Sequence, residues 1–190
     1  AGVEPGTAAV DYQLSVAGSY DFSVKESDDG PELAKRNIRL ARGLGLSAFL
    51  VESEADVTAE ELLLLTNDDR SVETNARVRA VHAASGFRED SEDAGSVDLY
   101  LLPSDESLSE DGTVREPWIS GLEYLGRSGY LPVPESTNYK LVVTDEGDSA
   151  NVLLEESPIS LENRGNYRLV IAGDNQTDDE VQLIQLGGVR

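Results

Sequence analysis

The sequence predicts an all-β protein of the sandwich kind, and three observations carry that expectation. Apolar residues recur mostly with a period of two, in short runs such as Val97-Asp98-Leu99-Tyr100-Leu101 and Asn138-Tyr139-Lys140-Leu141-Val142-Val143, which is the pattern of half-buried or fully buried strands. Clusters of Gly, Asp, Asn and Ser separate the runs, as in Glu146-Gly147-Asp148-Ser149, Arg164-Gly165-Asn166 and Ala172-Gly173-Asp174-Asn175, and these residues favour turns for local conformational reasons. The early part of the chain also falls into step with the late part at a spacing of about 120 residues, with small gaps.

Taken in order, the first run is Tyr20-Asp21-Phe22-Ser23-Val24. Pro31 to Arg42 and Thr58 to Leu65 then have helical alternatives. The second is the stronger, because Thr58 with Glu61 forms a capping box and Leu62 to Leu65 would make an apolar face. Internal comparison argues for strands at both places. With Tyr20 to Val24 set on Tyr139 to Val143, Ile38 and Leu40 answer Ile159 and Leu161, Gly45 to Val51 answers Gly165 to Ile171, and Glu61 to Leu65 answers Glu180 to Ile184. Further strands are expected at Ala76 to Ala84, Val97 to Leu101, Gly129 to Val133, Asn138 to Val143, Val152 to Ile159, Asn166 to Ala172 and Val181 to Leu186.

The comparison implies two tandem modules: an incomplete first one over 1–70, a polar linker over 71–76 and a complete second one over 77–190. The second copy runs through two strands, near Arg77 to Ala84 and Val97 to Leu102, before it reaches Tyr130. The first has only Ala1 to Val10 ahead of its matching Tyr12, so its opening strands have no counterpart. A sandwich short of two strands exposes an apolar groove and unpaired backbone edges, which invite another chain. Three outcomes stay open at this level: the upstream strands are missing from a fragment, they belong to a longer mature chain, or another subunit donates them.

Composition narrows the function. The chain holds 37 acidic and 15 basic residues, a net charge of −22, and its only lysines are Lys25, Lys35 and Lys140. Phosphate recognition draws on clustered Lys and Arg, so this balance argues against nucleic acid and against anionic membranes; it suits a solvated surface in salty surroundings. With 39% apolar residues, the chain has the material for a real core. Cys and Met are both absent, which removes disulfides and thiolate chemistry and points to a processed mature chain or a fragment. No apolar run approaches a membrane span and no signal segment opens the chain, so any export signal has been removed.

The order Arg77-Val78-Arg79-Ala80-Val81-His82-Ala83-Ala84, Val97 to Leu101, Ser128-Gly129-Tyr130-Leu131-Pro132-Val133-Pro134 and Tyr139 to Val143 resembles the secreted module known as domain of unknown function 4397. In the first copy, Ala17-Gly18-Ser19-Tyr20 matches the family's turn. The resemblance implies small Ig-like or transthyretin-like sandwiches, in tandem, in an exported bacterial or archaeal protein, and carries no activity with it. The sequence departs from the family at two acidic inserts, Gly86 to Gly95 and Ser104 to Glu116, and at Glu135-Ser136-Thr137, which replaces the turn's Ala-Gly.

Catalytic signals are weak. His82 is the only His, with Ser85 three residues on, but strand alternation sends the two side chains to opposite faces; a His bonded to a loop carbonyl is the simpler reading. Oxygen-rich loops at Ser27 to Gly30, Asn67 to Asp69, Asp145 to Asp148 and Asp174 to Glu180 are the candidate calcium ligands, and none has EF-hand spacing. Of the aromatics Tyr12, Tyr20, Tyr100, Trp118, Tyr124, Tyr130, Tyr139 and Tyr167, which could line a sugar-binding face, only Trp118 is expected to be exposed. No catalytic, cofactor or metal residue is therefore assigned. The expectation is a non-enzymatic structural or interaction protein, extracellular or at the cell surface, whose partner is itself, with assembly into a filament through strand complementation; the alternative is a secreted module binding calcium or glycan.

Overall fold

The computed structural model describes residues 17–27, 29–42, 45–53, 59–68, 70, 72–87, 95–110, 113–173 and 181–188. The chain is all-β and divides into two compact units, Ala1–Asp69 and Arg70–Arg190.

In the first unit the described strands form two antiparallel hairpins. Strand β1 (Gly18–Lys25) pairs with β2 (Glu32–Leu40), and β3 (Gly45–Glu52) pairs with β4 (Glu60–Asn67). The turn between β1 and β2 is closed by Glu26 N–H to the Pro31 carbonyl (3.2 Å) and Gly30 N–H to the Ser27 carbonyl (3.0 Å). Strands β2 and β4 lie against each other, burying Ala34, Ile38, Val51, Leu62 and Leu65, and the Arg36 guanidinium donates to the Leu62 carbonyl at 2.8 Å. Both segments with helical alternatives are therefore strands.

The second unit is a sandwich of two four-stranded sheets. One has the order β10-β5-β13-β14, made of Leu131–Val133, Ala76–Ala84, Asn166–Gly173 and Gln182–Gly188. The other has the order β12-β11-β6-β9, made of Asp148–Leu161, Ser136–Asp145, Val97–Pro103 and Ile119–Leu122. All pairings are antiparallel except β5 with β13, which is parallel. Alternation sends Val78, Ala80, Leu169 and Ile171 from one sheet toward Val97, Leu99, Leu141 and Val143 from the other, and together they form one buried core. Ala76 to Ala84 was expected as a strand and is β5.

The second acidic insert folds onto its sheet. Short strands β7 (Ser109–Glu110) and β8 (Thr113–Val114) pair, and Arg115 ties the arm together with an ion pair to Glu106 (2.9 Å) and a bond to the Ser107 carbonyl (3.2 Å). Leu108 from this arm packs on Tyr100, Leu102 and Val142, the outward side chains of β6 and β11. An acidic segment thereby covers an apolar face that would otherwise meet water.

Candidate interaction surface

The place where chemistry and geometry diverge most between the units is β1. Its side chains alternate, so Tyr20, Phe22 and Val24 share one face, and opposite them on β2 stand Ile38, Arg36 and Ala34. In the second unit β11 meets β12 with Tyr139 opposite Ile159. The sequence comparison sets Tyr20 on Tyr139 and Ile38 on Ile159, and in both hairpins these two residues are cross-strand partners, although the register then shifts, with Leu141 facing Glu156 rather than Ser157. The other hairpin does not keep step. Ser47 faces Leu65, while Tyr167 faces Gly187 rather than Ile184; pairing register is set by the connecting loop, which letter-by-letter matching of the strands does not weigh.

Burial separates the two faces. Tyr20 is 38% and Phe22 41% exposed, whereas Leu141 and Val143 are fully buried. The neighbours account for this difference. Strand β11 has β12 on one edge and β6 on the other, and β13 has β14 and β5. Among the described residues β1 has only β2 as a strand neighbour, and β3 only β4. Strands β5 and β6 supply Ala76, Val78, Ala80, Ala84, Val97 and Leu99 to the core of the second unit. A sheet edge with an exposed aromatic face beside it is a site for strand addition.

The single histidine does something else. His82 is fully buried at one end of the sandwich, edge-on to Tyr124 (centroids 5.7 Å apart) and tilted against Phe87 (5.8 Å). Its Nε2 lies 3.3 Å from the Gly95 carbonyl, and its Nδ1 accepts from the Ala84 amide at 3.4 Å. Both ring nitrogens are thus committed to backbone, with the proton on Nε2, and neither is left to activate Ser85. Burial holds the imidazole pKa down at about 4, a fall only partly offset by the Gly95 carbonyl. The ring anchors the far end of the first acidic insert, whose residues 88–94 lie outside the described ones.

A buried carboxylate plays a matching role at another corner. Asp98 Oδ1 accepts from Gly121 N–H (2.8 Å) and Oδ2 from Gly147 N–H (3.0 Å), so one side chain on β6 joins β9 to the β11–β12 turn. Burial alone would raise its pKa, but the amides of Gly147 and Gly121 and the Ser120 hydroxyl outweigh that and hold it below the ordinary carboxylate value. Gly121 has φ +61, a left-handed conformation that glycine adopts without the strain a side chain would bring. Replacing Asp98 with Ala is expected to cost about 1.5–3 kcal/mol, the range for hydrogen bonds to charged groups, read as a lowered urea midpoint. Asp98→Asn, which keeps an acceptor but offers no second carboxylate oxygen, should fall between that variant and the parent.

The remaining candidates resolve as follows. Trp118 was expected to be exposed; it is half-buried and packs against the main core, because it directly precedes β9. Tyr100, Tyr124 and Tyr167 are buried, Tyr130 carries the guanidinium groups of Arg77 and Arg79 at 4.8 and 4.3 Å, and the Tyr139 hydroxyl donates to the Pro134 carbonyl. Among the described residues Tyr20 is the exposed tyrosine, which sequence reasoning passed over. In the oxygen-rich loops, Asp148 Oδ1 accepts from Ala150 N–H and Asp145 from the Asn151 amide, while Asn67 bonds Ser47. Among the described residues no group of three His, Asp or Glu side chains could hold a metal ion. Tyr12, Asp28, Asp69 and residues 174–180 lie outside the described residues.

No family model matches the chain, and no curated protein matches it.

Proposed function

We propose that this chain is a non-enzymatic structural protein, exported to the cell surface or the extracellular space, that assembles with copies of itself by accepting strands into its first unit. The observation that carries the reading is the contrast at equivalent positions: Phe22 is 41% exposed beside a sheet edge with no strand neighbour among the described residues, while Leu141 is buried between β12 and β6. On this reading the units are tandem copies of one module, as the shared Tyr–Ile pairing of β1–β2 and β11–β12 supports, and among the described residues the first shows no counterparts of β5 and β6. The resemblance of Arg77 to Ala84 and Ser128 to Pro134 to a secreted sandwich module supports the exported location.

An acceptor on one face and a donor elsewhere make a heterologous contact, which propagates instead of closing. Each copy carries −22, so repulsion opposes the contact and salt relieves it. The expected result is a species by light scattering that grows with protein concentration and with ionic strength, and filaments by electron microscopy. A monomer at every concentration and salt level overturns the reading.

A further inference from the structure

We propose that the arm between β6 and β9 is a hinged strap that two copies of the chain exchange, so that Leu108 of one copy lies on Tyr100, Leu102 and Val142 of the other. This contact lies wholly on the second unit and is separate from strand acceptance by the first.

The ties of the arm are mostly its own. The Arg115 amide donates to the Leu108 carbonyl (3.1 Å), Arg115 Nε donates to the Ser107 carbonyl (3.2 Å), the guanidinium pairs with Glu106 (2.9 Å), and β7 pairs with β8. Toward the sheet, the Ser104 amide donates to the Asn138 carbonyl (2.9 Å) where the arm leaves β6, and Leu108 supplies the apolar contact. A segment that is bonded within itself and clipped to its neighbour through a leucine opens as a unit, at lower cost than unfolding the sandwich beneath it. The hinge is a single turn. Pro103 ends β6, and the Glu106 amide donates back to the Pro103 carbonyl (3.0 Å), which folds the arm over the face.

Opening uncovers Tyr100, Leu102 and Val142, all buried in the closed chain. Val152, opposite Thr144 on the neighbouring strand, is already 47% exposed, so apolar surface continues beyond the covered residues. The occupant that fits the uncovered face is the arm itself. A second copy brings the same leucine on the same hairpin, and the exchanged pair repeats the contacts of the closed chain, differing only in the hinge. Residues 104–108 reach at most about 18 Å when extended, beyond the roughly 10 Å between packed sheets, so two such faces opposed to each other lie within range. Reciprocal exchange is two-fold and closes, unlike the heterologous contact of the first unit.

The chain has no cysteine, so introduced thiols report the exchange. Leu108→Cys and Leu102→Cys proteins, one of them isotopically labelled, are mixed at high ionic strength and oxidised. A mixed covalent dimer by intact mass is expected, and Leu102→Cys mixed with Val72→Cys, an exposed position outside the arm, should give none; equal yields from the two mixtures overturn the proposal. The double variant Leu108→Cys/Leu102→Cys should give internally bridged monomer together with doubly bridged dimer, and monomer alone overturns the exchange. Glu106→Pro, which leaves the buried face intact and removes the amide that closes the hinge, should raise the ratio of dimer to monomer by sedimentation about two- to tenfold, the effect of one lost hydrogen bond in the closed form; an unchanged ratio overturns the hinge. Salt-driven growth by light scattering without the mixed dimer overturns arm exchange and leaves strand acceptance by the first unit standing.

Discussion

Lowering the pH from 7 to 5 is expected to weaken the second unit by about 2 kcal/mol through His82 alone, rising to about 3 kcal/mol at pH 4. The imidazole takes a proton near 6.5 in the unfolded chain and at about 4 in the fold, where burial disfavours the charged form. Between those values the unfolded state binds more protons than the native one, so stability rises with pH across the window. It is fully present above 6.5, is lost as pH falls toward 4, and falls no further on this account below 4. Asp98 acts in a separate range, because its pKa lies below 3.8 and its contribution disappears only as pH falls through that lower value. His82 is the one histidine and Trp118 the one tryptophan, and Trp118 packs on the core of the second unit. Urea titrations followed by tryptophan fluorescence at pH 7 and pH 5 therefore isolate the effect. Replacing His82 with Gln should flatten the slope between 6.5 and 4; equal stability of the parent at pH 7 and pH 5 would show that the ring is not buried neutral.

Most strands of the second unit were legible because local pattern and packing agree there. Ala76 to Ala84 is bounded by polar residues and buried along most of its length, and Glu146-Gly147 turns because Gly147 takes φ +76. In the first unit local pattern was ambiguous for identifiable reasons. Ala34 and Ile38 are buried four residues apart, a helical spacing, and the alternation between them is broken by Arg36, an exposed cation whose guanidinium donates to the Leu62 carbonyl. Leu62 and Leu65 are likewise spaced as on a helix. Only comparison with the later part of the chain pointed to strands in both places.

The candidate site was harder to read, since exposure is a property of neighbours. Tyr20 to Val24 and Tyr139 to Val143 carry the same alternation of apolar and polar residues, and nothing within either run tells which is covered. Trp118 shows the converse. Its acidic flank suggested an exposed ring, but the strand that follows, Ile119–Leu122, draws it onto the core.

Equivalent substitutions at the two matched positions should therefore separate stability from assembly. Leu141→Ala removes a fully buried side chain from the centre of the second unit, where strands on both sides limit collapse around the gap. A loss of about 2–5 kcal/mol is expected, the range for a buried Leu truncated to Ala, and the fluorescence of Trp118 reads it as a lowered urea midpoint. Phe22→Ala removes a larger ring from a position already 41% exposed, so folding stability should move by no more than about 0.5 kcal/mol. What it should change is association, because an entering strand would pack its apolar side chains beside that ring. The expected signature is a Phe22→Ala protein with the parent's melting curve by circular dichroism and a smaller assembled fraction at high salt. If Phe22→Ala instead unfolded the first unit and left association intact, the ring would belong to that unit's own core, and the acceptor would have to lie along β3 instead, whose outer edge likewise lacks a strand neighbour among the described residues.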